Sequence, residues 1–70
     1  MIHYTKLLVG EEYWTNDGFG YDRVRVIAHH NNHPEYPWPV VELEYIDESE
    51  RTDFSGGSDP YAPDFYPKDW

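Results

Sequence analysis

Arg23-Val24-Arg25-Val26-Ile27-Ala28-His29 is the stretch that decides the fold class of this chain. Val24, Val26 and Ala28 alternate with Arg23, Arg25 and Ile27. A period of two sets one face of a strand on a core and the other in water. Working outward, the next such stretch is Pro39-Val40-Val41-Glu42-Leu43-Glu44-Tyr45-Ile46. Val41, Leu43 and Tyr45 point one way, Glu42 and Glu44 the other. Laid antiparallel, the two strands set Arg23 and Arg25 against Glu42 and Glu44. Such pairs contribute only about 0.2–1 kcal/mol each but help fix register. Toward the N-terminus, Ile2 to Val9 reads as a strand that stops at Gly10, and Gly10-Glu11-Glu12 as a turn. Tyr13-Trp14-Thr15 resumes the extended chain, and Asn16-Asp17-Gly18 is a turn, because Asn, Asp and Gly tolerate positive φ. Toward the C-terminus, Asp47-Glu48-Ser49-Glu50 reads as a hairpin turn and Arg51-Thr52-Asp53-Phe54 as a short last strand.

Two segments fall outside this pattern. Residues 29–39 hold Pro34, Pro37 and Pro39, which forbid a helix and stiffen the loop toward polyproline II. Residues 55–60, Ser-Gly-Gly-Ser-Asp-Pro, have linker composition. The tail beyond them interleaves Asp64 and Asp69 with Tyr61, Phe65, Tyr66 and Trp70. The expected organisation is therefore an all-β domain over residues 1–54 and a linker with an acidic aromatic C-terminal tail over 55–70. Two dispositions of the tail are open: its rings plug a pocket on a partner, or it folds back over an edge strand of its own sheet.

Four to five short antiparallel strands joined by tight turns imply a small, partly open β-barrel. Three elements carry a resemblance to SH3-like and Tudor-like barrels: Val9-Gly10-Glu11 before an early strand, Arg23 to Ile27 as a central strand, and Trp38 to Tyr45 followed by Asp47 and Thr52-Asp53-Phe54. The resemblance covers residues 2–54 and implies binding of peptides, nucleic acid, modified lysines or partner proteins. Size, acidity and lack of cysteine also resemble the small accessory proteins of bacteriophages.

The chain has 70 residues, 5 Lys and Arg against 14 Asp and Glu, and a net charge of -9. Residues 1–34 carry a net of only -1 and residues 35–70 a net of -8. This balance argues against direct nucleic-acid binding, which needs an excess of Lys and Arg. The absence of cysteine excludes a disulfide framework and a Cys-based zinc site. No apolar run approaches the ~20 residues of a membrane span, and no leader pattern opens the chain, so a cytoplasmic location is expected, that of the host cell if the protein is phage-encoded. Below about 70–80 residues a single core rarely supplies more than ~3–5 kcal/mol. Three Trp, three Phe and seven Tyr are the means of reaching even that.

No enzyme, cofactor or metal centre is expected. Glu42 and Glu44 lie about 7 Å apart along a strand, near the spacing of glycosidase carboxylates. A domain this small offers no cleft to bury a sugar, and both are natural partners of Arg23 and Arg25. His29, His30 and His33, with Glu35 close by, have ligand chemistry. Pro34 denies them a helix, however, and strand geometry turns His29 and His30 to opposite faces. An exposed polar loop accounts for them better.

The expected function is non-enzymatic inhibition or modulation of a protein with a basic surface: a nuclease, a polymerase or a defence complex. Carboxylates spaced along strands echo the phosphates of a nucleic-acid strand. Glu42, Glu44, Asp47, Glu48 and Glu50 would form the charged face. Tyr36, Trp38, Phe65, Tyr66 and Trp70, with Asp64, would anchor the partner, and the protein itself would be a monomer or weak dimer. Two alternatives stand beside it. One is an SH3-like peptide-binding module, sensitive at Trp14 or Trp38. The other is a structural or assembly component of a virion.

Overall fold

The computed structural model describes residues 1–16, 19–48, 51–58 and 61–70. Six antiparallel strands form one open sheet: β1 (Ile2–His3), β2 (Glu12–Asn16), β3 (Tyr21–His30), β4 (Val40–Tyr45), β5 (Thr52–Ser55) and β6 (Asp64–Pro67). Their order across the sheet is β1-β6-β2-β3-β4-β5. The described residues contain no α-helix, only a single 3-10 turn at Tyr4–Lys6. Asp17 and Gly18 of the first expected turn, Ser49 and Glu50 of the hairpin turn, and Asp59 and Pro60 of the linker lie outside the described residues.

The meander from β2 to β5 follows the expected order, with a longer central strand. The N-terminal segment does not: only Ile2 and His3 are strand. The His3 Nδ1 accepts the Thr5 N–H at 3.3 Å and caps the turn that follows. That turn drives Tyr4 into the core, where it is 3% exposed. The Tyr4 hydroxyl lies 2.8 Å from the Pro39 carbonyl and 3.2 Å from that of Gly57. One phenol thus ties the N-terminal segment to the chain entering β4 and the chain leaving β5. Gly56 makes this approach possible. A Cβ there would lie 2.8 Å from the Pro39 carbonyl oxygen and 3.1 Å from both the Tyr4 ring and Val40.

The segment read as a tail supplies a strand inside the sheet. β6 lies between β1 and β2, with Ile2 opposite Phe65 and Trp14 opposite Tyr66. It folds back on its own sheet, as one of the two open dispositions had it, but as an interior strand and not an edge cover. Among the described residues the strand count is accordingly six, not four to five.

One face of the sheet carries the core. Tyr13, Val24, Val26, Val41, Leu43 and Phe65 gather there with Tyr4 and Leu7, and Ile2, Tyr45 and Ala62 pack around them. Phe65 is 0% exposed. The even alternation expected of β3 ends at a bulge between Val26 and Ala28. Ile27 is the extra residue, and an extra residue exchanges the two faces beyond it. Ala28 therefore pairs with Glu42, and His29 with the buried Val41. The expected ion pairs form only in part. Arg25 does meet Glu44 at 3.0 Å, and also Glu12 at 3.2 Å. Arg23 reaches Asp47 at 3.4 Å and Glu12 at 4.0 Å. Glu42, beyond the bulge, meets His30 at 2.9 Å instead.

Candidate functional site

The face turned away from the core carries the candidate site. Tyr13 and Thr15 are buried, so strand alternation turns Trp14 outward. Phe65 is buried, so Tyr66 turns outward beside it. Trp14 and Tyr66 are register partners, and Tyr21 stands opposite Asn16 at the end of β3. After Pro67 the chain turns, with the Trp70 N–H donating to the Pro67 carbonyl at 3.0 Å. The turn lays the Trp70 ring on Tyr66, 4.3 Å between centroids and 21° between planes. Trp70 also leans against Tyr21 at 5.0 Å. The Trp14 Nε1–H donates to the Lys68 carbonyl at 3.1 Å, which fixes the indole against that turn. Together Trp14, Tyr21, Lys68, Asp69 and Trp70 line an open groove of about 430 Å³. Trp70 keeps 62% of its surface exposed, although it is stacked and held.

Beside the groove runs a ladder of charges: Glu12, Arg23, Arg25, Glu44 and Asp47. Beyond it lies a second ring cluster. Phe54 of β5 sits 5.4 Å from His30 and 4.9 Å from His33, and Tyr36 lies 5.1 Å from His33.

The residues expected to bind a partner are not brought together on one surface. Tyr66 and Trp70 belong to the aromatic groove. Glu42, Glu44, Asp47 and Glu48 are paired within the protein, with His30, Arg25, Arg23 and Arg51 respectively. The hydrogen bond that Arg51 donates to Glu48, then the charge of that carboxylate, hold the exposed Arg51 guanidinium above its ordinary pKa. Phe65 lies wholly in the core and is corrected from an anchor to a core residue. Of the others, Tyr36 belongs to the second ring cluster, Trp38 is 37% exposed on the proline-bearing loop, and Asp64 is exposed, its carbonyl accepting the Thr15 hydroxyl at 3.3 Å. Glu50 lies outside the described residues.

The set expected under the leading reading omitted Trp14, Tyr21, Lys68 and Asp69, although the peptide-binding alternative named Trp14. Trp14 was within reach of sequence reasoning, because it lies between two residues of opposite facing. Lys68 and Asp69 were not, since their place depends on β6 entering the sheet. Among the described residues, no group of three or more His, Cys, Asp or Glu is placed to hold a metal ion. No helix among them is long and apolar enough to cross a membrane. No protein-family model, curated protein or solved structure matches this chain.

Proposed function

We propose that the protein is a non-enzymatic binding module that takes an extended, basic, proline-bearing segment of a partner protein into the groove of Trp14, Tyr21 and Trp70. The observation that carries this reading is the groove itself, in which large rings stay exposed while their neighbours hold them in place. Exposed aromatic grooves receive proline-rich segments, whose rings stack on the indoles at little entropic cost. A net charge of -9 steers the protein toward cationic partners and away from acidic ones. The finer fold reading is an SH3-like, partly open barrel, and the Tyr4 contacts to Pro39 and Gly57 support it. The lack of cysteine suits a reducing cytoplasm. Masking its partner's segment would make the protein an inhibitor or modulator.

The nucleic-acid-mimic form of that inhibition finds less support. Glu42, Glu44, Asp47 and Glu48, which would imitate phosphates, each already have a basic partner within the chain.

The test is a tryptophan-fluorescence titration with a decapeptide of alternating proline and arginine. Saturable binding is expected, weakened at least tenfold by Trp14→Ala. A Glu42→Lys, Glu44→Lys double variant should change it far less. No saturable response, or loss in the double variant but not in Trp14→Ala, overturns the groove reading.

A further inference from the structure

The second ring cluster holds the loop of residues 31–39 to the sheet, and its hydrogen bonds point to a response to acid that needs no groove and no partner. The His33 Nδ1 accepts the N–H of Glu35 at 3.1 Å. An Nδ1 that accepts has its lone pair in use, so the ring proton of neutral His33 sits on Nε2. The next residue continues the same turn, with the Tyr36 N–H donating to the His33 carbonyl at 3.1 Å. The His33 ring packs against Phe54 of β5 at 4.9 Å, Tyr36 at 5.1 Å and His30 of β3 at 6.1 Å. The turn thus grips β5 through the His33 ring and through Tyr36, whose ring lies 6.0 Å from Phe54.

We infer that His33 is an acid-released latch, and that its protonation frees the 31–39 loop from β5. Protonation places a hydrogen on Nδ1, where the Glu35 N–H already points. Acceptor becomes donor, and the bond that shapes the turn is lost. His30 responds the other way: its Nε2 faces the Glu42 carboxylate at 2.9 Å, which can only accept, so a charged His30 holds that contact more firmly. Acid therefore tightens the sheet side of the cluster while loosening the loop side.

The charged and titratable groups around His33 are these. On its own loop stand Glu35 and Tyr36. From β3 comes His30, and from β4 comes Glu42, held by His30. From β5 comes the apolar Phe54, while the Asp53 carboxylate is bonded to the Phe54 N–H at 2.8 Å.

The test is a residue-resolved NMR titration of the full chain between about pH 7.5 and about pH 5, the range in which imidazoles ordinarily ionise. The Glu35 and Tyr36 amides and the Trp38 indole should move on one curve with the His33 ring. The nuclear Overhauser contact between the His33 and Phe54 rings should vanish at the acid end. In His33→Asn the side-chain amide oxygen can still accept the Glu35 N–H but does not ionise, so the loop signals should stay flat. His30→Gln should leave the loop transition in place. The inference falls if the His33–Phe54 contact persists at acid pH in the natural chain, or if His33→Asn shows the same transition. His3 also accepts a backbone N–H, from Thr5, and its ring stacks on Tyr4 at 4.8 Å, so its ring signals are followed alongside those of His33.

Discussion

Gly56 shows how narrow the tolerances are at the scale of one residue. Its missing side chain lets the chain leaving β5 touch Pro39, Val40 and the Tyr4 ring at once. Gly56→Ala forces a backbone carbonyl to move, and overpacking of this kind costs about 1–3 kcal/mol. Urea denaturation should register it as a lower midpoint with an unchanged slope. Phe65 sets the opposite limit. Emptying its place by Phe65→Ala costs about 3–5 kcal/mol, as much as a core of this size supplies in all. The variant is expected to lack near-ultraviolet circular dichroism at room temperature. Neither role was legible from residue type. Gly56 sits in a Gly-Gly pair that reads as linker, and Phe65 lies among acids and prolines that read as tail. Only the arrival of β6 in the sheet separates Phe65, in the core, from Tyr66, in the groove.

Elements were legible where side-chain types alternate and obscure where the backbone departs from regularity. β3 and β4 follow from Val24, Val26, Val41 and Leu43, whose period of two survives in the fold. The bulge at Ile27 leaves no mark in composition, because Ile is at home in a strand or a bulge alike. Beyond it, Glu42 meets His30 and not an arginine all the same. β1 is short because His3 caps a turn, a side-chain hydrogen bond that outweighs the β-propensity of its neighbours. The edge strand β5 bears a protective device of its own: the Phe54 N–H donates to Asp53 Oδ1 at 2.8 Å and is not offered to another strand. Asp53→Ala should expose that donor, and sedimentation at rising concentration should show more self-association than in the natural chain. An unchanged mass distribution would show that the edge is protected by other means.

Charge and topology are properties of the whole molecule. Most of the net charge of -9 lies in residues 35–70, and the same part of the chain supplies β4, β5 and β6. Self-repulsion in the compact state should therefore exceed what the Arg23 and Arg25 ladder recovers. Salt screens exposed charges beyond about 10 Å at 0.1 M. The melting temperature should rise by a few degrees between low and moderate sodium chloride; a fall would mean that the ladder dominates. The fold class and the acidic, aromatic character were legible at this scale, since both are sums over many residues. The place of β6 was not, because nothing local announces a pairing across some fifty residues of chain. That pairing bears on biosynthesis. β2, β3, β4 and β5 leave the ribosome in the order in which they pair, but the partner that lies between β1 and β2 is translated after all of them. Until it emerges, the nascent sheet lacks the strand that joins β1 to the rest, and a chain cut short before Asp64 has no way to close that gap.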